Sequence, residues 1–497
     1  RFINEEIPIF LPNFVLLIPT RSMRCLLLAL LFPCSLSAQE VIRVEEQPPS
    51  LSFLLNIALG IDTEYDVENY KVVYTTTDAF GQPDTASGLL CVPNDPDIAF
   101  PLAIYNHGTV FERDGVPSVE GVPERLLPQA IGAYGYITVA PDYLGLGESD
   151  GFHPYVHAAT EASAGRDMLL AVRDWLDARG TGRNDQLFVT GYSQGGHASS
   201  ALHMDLALNP GDDELTVTAA AHLSGPYSIS EVMLSTVFRE GRPTLPGYIV
   251  YTYVSYNNVY GIYDSLGQIF REPYLGVIDS FENGLLAAGA FNASLDRLLD
   301  ENEALLVDMF QDSIRQVLAD RDPSQPIIQA LIDNDTYDWA PTAPTLLYYC
   351  TEDEQVPFRN ALLADSVMRA NGSTSVTVES GGPLDHGACV LPAAMRTIAF
   401  FRDFAQRFPV SLGEPADRPD VGLAPNPVAA GSVLRVNGLK NRAHDYVLYD
   451  LSGRQLLRGQ TGFDGSLRLP ADLPTGVSVL RVSLADGTSV VRRLRIQ

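Results

Sequence analysis

The sequence predicts a mostly parallel α/β sheet with helices on both faces, a helical cap insert within it, and a small C-terminal all-β sandwich. Three observations predict this. Strand-like and helix-like segments alternate from about Tyr70; tyrosine-rich and helical sequence interrupts them between about Gly225 and Pro341; and past Pro409 a Pro/Asp/Gly-rich stretch gives way to short strands and turns.

Taken in order, VVYTTTDAFGQPDTASGLLCVP reads as two strands joined through Phe80, Gly81, Gln82 and Pro83. PLAIYNHGT and YITVAPDYLG are short apolar runs, as buried parallel strands feeding loops are. From Thr160 to Arg179, Ala164, Met168, Leu169, Val172, Trp175 and Leu176 fall at helical spacing, and Gly180 stops the helix. Strand QLFVT, turn GYSQGG, helix HASSALHMDLAL and strand TAAAHLS follow. The insert spans residues 225–341, and its tyrosines either fill the core of a cap or form an aromatic wall for an apolar substrate. Strand TLLYYC, helix RNALLADSVMRANG, strand SVTVES and helix LPAAMRTIAFFRDFAQRF complete a first domain over residues 39–410. Residues 411–423 read as linker and 424–497 as the sandwich.

The 497 residues, 46% hydrophobic and 19% charged, are ordinary for globular protein. Their net charge of −28, with Lys71 and Lys440 the only lysines, argues against nucleic acid or an anionic membrane as partner. It suits a secreted protein. Met23 to Ala38 has the layout of a secretory signal peptide, its apolar stretch too short for a transmembrane anchor, and residues 1–22 form an upstream extension. Beyond it stand Cys91, Cys350 and Cys389, so at most one disulfide forms and one thiol remains. Without Cys/His ligand spacing, no structural zinc is expected.

Ser193 is the centre of G-x-S-x-G between an apparent strand and an apparent helix, the setting of a strained nucleophile turn. A serine hydroxyl needs a base, and the base an orienting acid. Asp353 follows strand TLLYYC, with Glu352 and Glu354 close enough to contend for the role; His386 follows strand SVTVES in a glycine-flanked loop. No other histidine lies between His222 and His444. For the oxyanion, the backbone N–H of Gln194 opens the helix and the N–H of Thr109 follows strand PLAIYN, each donor worth about 3–4 kcal/mol. His107 is read as a structural loop residue. The bland alternatives are a helix-capping Ser193, a turn Asp353 and a surface His386.

Residues 65–408 resemble an α/β-hydrolase of the secretory lipase and esterase branch with a helical lid. The resemblance is carried by NHGT (106–109), PDYLGLGESDGFHPYVHAATEA (141–162), GYSQGG (191–196), TEDEQVP (351–357) and DHG (385–387). It implies a Ser193, Asp353, His386 triad and, because PDYLGLGES is similar to a family loop beside the active site, Asp142 and Tyr143 as pocket residues. The tail is similar to the C-terminal sorting domain of the type IX secretion system, through APNPV (424–428), LYDLSGRQL (448–456), LPTGVSVLRV (473–482) and the basic strand VVRRLRI, with Ser478 where a Tyr is common. That similarity implies export through the periplasm of a Gram-negative bacterium by the type IX machinery, with removal of the tail.

The expected activity is hydrolysis of a small-molecule or lipid carboxylic ester, without metal or cofactor. Rival readings are a serine peptidase of the prolyl-oligopeptidase kind, for which the stretch between Ala38 and Tyr70 is too short to hold a propeller, and a non-catalytic adhesion or binding protein on a hydrolase scaffold, which an intact triad disfavours.

Overall fold

In the computed structural model the described residues are 39–211, 215–239, 245–410, 422–439, 442–450, 455–483 and 489–497. The expected signal peptide, and residues 411–421 of the expected linker, lie outside them. The described chain divides into two compact units that meet between Phe408 and Pro409.

The first unit is built on strands β1 (Val41–Ser50), β2 (Val67–Thr77), β3 (Pro83–Pro93), β4 (Ile98–Asn106), β5 (Ile137–Pro141), β6 (Arg183–Tyr192), β7 (Val217–Leu223), β8 (Thr345–Tyr349) and β9 (Val376–Ser380). They run side by side in the order β1-β2-β3-β5-β4-β6-β7-β8-β9. Pairing is antiparallel from β1 to β5 and parallel from there to β9. Neighbouring residues along each strand enter opposite cores. Leu90, Ile104 and Val189 pack with Met168 and Val172 on one face, and Leu89, Ala103 and Phe188 pack with Tyr136 and Phe401 on the other. A strand buried on both faces reads as a continuous apolar run, which is why QLFVT shows no polar alternation. Trimming Phe188 to alanine at this depth should cost about 3–5 kcal/mol.

Helices α1 (Ser52–Leu59), α2 (Leu126–Ala133), α3 (Ala158–Arg179), α4 (Gln194–Leu208), α11 (Arg359–Ala370) and α12 (His386–Arg402) accompany the strands. The insert between β7 and β8 carries α5 (Leu234–Val237), α6 (Gly247–Tyr260), α7 (Leu275–Glu282), α8 (Ala288–Glu301), α9 (Asp312–Asp320) and α10 (Pro326–Ile332). It has a core of its own, in which Tyr251, Tyr253, Tyr256, Phe270, Phe291 and Phe310 are buried. Phe281 and Phe291 stack there at 4.1 Å, and Phe111, from the loop after β4, stacks on Tyr251 at 5.3 Å.

Register decides what meets what. Asn106, Gly191, His222, Leu347 and Val378 form one row across β4, β6, β7, β8 and β9. The segments that leave the sheet just beyond this row therefore emerge at a single edge: His107–Thr109, Ser193, Cys350–Asp353 and, after β9, Asp385–His386. In α/β sheets that carboxyl edge is where ligands bind.

The second unit contains an antiparallel three-stranded sheet (Leu423–Ala424, Val433–Val436, Ser466–Arg468) and an antiparallel four-stranded one (Gln455–Gln460, Asp445–Asp450, Gly476–Ser483, Ser489–Ile496). Leu434 and Val436 from the first, with Leu448, Leu480 and Leu494 from the second, share one core. This is the small all-β domain that the strand spacing predicts. No helix among the described residues is long and apolar enough to cross a membrane.

Candidate active site

The turn between β6 and α4 is held by close backbone contact. A Cβ added at Gly195 would lie 1.9 Å from the Asn106 carbonyl oxygen, and one at Gly191 would lie 2.1 Å from the oxygen of Gly195. Only glycine fits at either position, and Ser193 between them takes φ 60°, ψ −122°. A non-glycine residue in that region costs about 1–3 kcal/mol, which the surrounding bonds must offset. One of them runs from the Ser193 N–H to the Leu223 carbonyl at 3.0 Å. The first helical hydrogen bonds come from Gly196 and His197 to the Ser193 carbonyl, so the N–H of Gln194 precedes the helical ladder.

His386 opens α12. The expectation of a glycine-flanked loop, with the helix starting only at Leu391, is corrected here: the Asp385 carboxylate accepts the Ala388 N–H at 2.7 Å and starts the helix five residues earlier, with Pro392 inside it. The imidazole Nδ1 lies 2.7 Å from Asp353 Oδ2, and both side chains are buried. Asp353 Oδ1 accepts the backbone N–H groups of Gln355 and Val356 at 3.0 and 2.8 Å, which fixes the carboxylate and leaves Oδ2 to the histidine. Glu354, a contender for the acid, instead accepts the backbone N–H of His386 at 3.0 Å, and Glu352 is exposed. Tyr192, the residue before Ser193, donates its hydroxyl to the His386 carbonyl at 2.6 Å and lies 5.0 Å from the imidazole, ring to ring.

A disulfide joins Cys350 to Cys389 and so ties the loop of Asp353 to the first turn of α12. Cys91 is free and buried. By chain entropy, a link across 39 residues contributes about 4 kcal/mol.

Beside Ser193 runs the loop after β4: a Cβ on Gly108 would stand 3.9 Å from the Ser193 Cβ. The Thr109 hydroxyl is 2.9 Å from the Tyr155 hydroxyl. The Tyr155 N–H donates to Ser255 on α6, and its ring stacks on Tyr251 of the same helix at 4.5 Å. The cap therefore holds the Thr109 loop through Tyr155.

Asp142 and Tyr143, expected in the pocket, do not line it. Asp142 is buried beneath the loops, accepting Ser87 Oγ at 2.6 Å and the Ser118 N–H at 3.0 Å. Tyr143 donates to the His107 carbonyl at 3.1 Å and stacks on the His107 ring at 4.3 Å. Tyr143, together with the Asp142 carbonyl 3.3 Å from His107 Nε2, holds the start of the Thr109 loop, and His107 is buried there among structural contacts.

The motif gave no hint of what the Gln194 side chain does. It is buried, and its Nε2 lies 2.8 Å from His153 Nε2 and 2.9 Å from Glu161 Oε1. The other oxygen of Glu161 meets His197 Nδ1 at 2.6 Å, and His197 Nε2 meets the Asn334 carbonyl at 2.8 Å. A carboxylate oxygen and a carbonyl oxygen facing the two ring nitrogens favour the doubly protonated, charged imidazole. Burial opposes that charge, but Glu161, the Asn334 carbonyl and Asp335 outweigh it and raise the pKa. His153 is the opposite case: burial pushes it down to about 3, and it stays neutral, donating from Nδ1 to the Leu144 carbonyl at 2.7 Å. Gln194 thus donates both amide hydrogens. A signal was available in the sequence, since Glu161 is an acid on the apolar face of α3 and His197 lies one helical turn after Ser193.

Ser193 and Gln194 line a cavity of about 270 Å³. Its walls are mainly apolar: Met233, Leu234 and Val237 from the first helical turns of the insert, Tyr248 and Ile249 from α6, and Val356 from the Asp353 loop. The cap tyrosines divide between the cap core and the cavity wall, on different faces of α6. Tyr251 and Tyr256 fill the cap core, Tyr248 lines the cavity, and Tyr253 does both.

No protein-family model and no curated protein matches the sequence. Solved structures do resemble it. A hydrolase candidate from Legionella pneumophila is 30% identical with a TM-score of 0.66, over 73% of this chain and 98% of that one. The rice cell wall degrading esterase LipA from Xanthomonas oryzae is 26% identical with a TM-score of 0.63, over 74% of this chain and 98% of that one. Candida antarctica lipase A in its closed state, at 15% identity and a TM-score of 0.51 over 73% of this chain and 82% of that one, shares the fold alone. Its strand order, its glycine-gripped serine turn and its 30% identity to a structure matched over 98% of its length place the chain in the α/β-hydrolase family.

Proposed function

We propose that the protein is a secreted serine carboxylic-ester hydrolase. Ser193 Oγ attacks the ester carbonyl as His386 Nε2 takes its proton. Asp353 holds Nδ1–H and stabilises the imidazolium that forms, and the backbone N–H groups of Gln194 and Thr109 receive the oxyanion. The alcohol leaves with the proton from His386, and water then hydrolyses the acyl-enzyme, with His386 acting first as base and then as acid. No step calls for a metal or cofactor.

The observation that carries this reading is the Asp353–His386 pair at 2.7 Å, its histidine packed against Tyr192 next to a serine at φ 60°. The hydrogen bond to Asp353 directs Nδ1–H at the carboxylate and leaves the Nε2 lone pair as the base. The mainly apolar cavity and the likeness to an esterase support an ester as substrate. Ser193→Ala should abolish p-nitrophenyl ester hydrolysis, a loss of about 10⁴-fold or more, with an unchanged circular dichroism spectrum. Activity within tenfold of the parent would overturn the assignment.

We further infer export by the signal at Met23–Ala38 and sorting by residues 424–497 through the type IX machinery. Support comes from the motifs APNPV and LYDLSGRQL and from the separate compactness of the tail unit. Deleting residues 424–497 should hold active enzyme in the periplasm; undiminished release into the medium would contradict the inference.

A further inference from the structure

A second concavity adjoins the Ser193 cavity. It is a groove of about 620 Å³ that shares Thr236, Arg239 and Pro357 with it, and among the described residues its wall carries three guanidinium groups, Arg239, Arg321 and Arg359, against one carboxylate, Glu231. All three arginines are exposed.

Such a cluster is out of keeping with this chain. The sequence has 61 acidic and 33 basic residues, so an arginine on its surface readily finds a carboxylate. Nearby arginines do: Arg369 with Asp365, Arg315 with Asp308 and Arg271 with Asp312. Among the described residues, Arg239 and Arg359 have no carboxylate within ion-pair distance, and Arg321 bonds only to neutral oxygens, Ser235 Oγ at 2.9 Å and the Glu231 carbonyl at 3.4 Å. Arg321 also takes φ 53° where α9 ends, a left-handed position that glycine or asparagine usually fills. A side chain with a Cβ is strained there relative to glycine. The site keeps it nonetheless.

We propose that this groove binds an anionic group of the ester substrate, a carboxylate on the part of the molecule that extends beyond the Ser193 cavity. The inference rests on the esterase reading of that cavity and adds its specificity. Guanidinium groups suit carboxylates through paired N–H donors, and three of them gather positive charge beside the Ser193 cavity of a chain whose net charge otherwise repels anions. Apolar walls then take the uncharged segment and the groove takes the charged end.

The test compares kcat/KM for charged and neutral partners in two series at low salt. On the acyl side these are p-nitrophenyl monoesters of adipic to sebacic acid against methyl-ended chains of equal length. On the alcohol side they are p-acetoxybenzoate against p-tolyl acetate. In at least one series the anionic ester should be preferred about tenfold, and the preference should shrink towards parity in Arg321→Gln/Arg359→Gln and in about 1 M NaCl. Parity in both series, or a preference that survives the double substitution, would overturn the proposal. Should no ester turn over, the fault lies with the esterase reading; titration with sebacate then decides the groove, since its binding must weaken in the double variant and indifference to the substitutions refutes the site.

Discussion

Asp353 and Glu354 both bond to His386, but to different atoms: Asp353 reaches Nδ1 at 2.7 Å and Glu354 the backbone N–H at 3.0 Å. Adjacent carboxylates therefore have separable duties. Asp353→Asn keeps the shape and offers His386 an amide that can stabilise the wrong tautomer, so kcat for a p-nitrophenyl ester should fall by roughly four orders of magnitude with KM little changed. Glu354→Gln retains an acceptor for the N–H and should cost less than about tenfold. Equal losses in the two variants would reassign the acid.

The Glu161–His197 pair predicts how stability depends on pH. The folded pKa of His197 is raised above the ordinary value of 6.5, so the folded state holds the proton more tightly than the unfolded state does. The stabilisation is complete below about pH 6.5 and is lost as pH rises through the folded pKa. Glu161→Gln should lower stability by about 3–5 kcal/mol in mildly acid buffer, by leaving the imidazolium without its counter-charge, and should flatten this pH dependence. Urea unfolding of parent and variant, followed from mildly acid to alkaline pH, checks both. Parallel curves for the two proteins would show that the pair does not titrate with folding.

Cavity size bears on acyl length. At about 270 Å³ the space beside Ser193 lies just below the usual range for ligand sites of roughly 300–1,000 Å³. Butyrate to octanoate p-nitrophenyl esters should therefore be hydrolysed about tenfold faster, by kcat/KM, than palmitate. Enlarging the wall with Ile249→Ala should move the optimum to longer chains. Palmitate as the best substrate of the parent would mean that the cap opens beyond the described conformation.

The Cys350–Cys389 bridge fastens the Asp353 loop to the helix that His386 opens, so its loss should affect activity as well as stability. Cys350→Ser/Cys389→Ser should destabilise the hydrolase unit by about 2–4 kcal/mol and lower kcat further below the unfolding transition than a remote destabilising change does. Calorimetry with activity assays at matched distance from Tm measures the two effects apart.

Much of the scaffold was legible because its signals are local. The apolar runs QLFVT and TLLYYC, the helix stop at Gly180 and the serine turn each declare themselves within a few residues, and the order Ser193, Asp353, His386 follows from them. Strand β1 was not legible. It pairs with β2 alone at the edge of the sheet, and its Glu45, Glu46, Pro48 and Pro49 carry no apolar pattern. The start of α12 was hidden by Pro392, which resembles a helix start until the Asp385 cap is seen. Spacing could not reveal the roles of Gln194, Asp142 and Tyr143. Each turns on a contact with residues 33 or more positions away, such as Glu161 for Gln194, or, for the Asp142–Ser87 bond, 55. A pocket position and a supporting position one layer behind it share the same loop, and only packing separates them.

The most direct test of Ser193 as nucleophile is to trap it. The protein is incubated with a fluorophosphonate, digested, and its peptides mapped by mass spectrometry, in parallel with His386→Ala. The account predicts a single adduct on Ser193, in the peptide containing GYSQGG, formed at least about 10³-fold more slowly in His386→Ala. An adduct on another residue, or labelling of Ser193 at the same rate without His386, would contradict it.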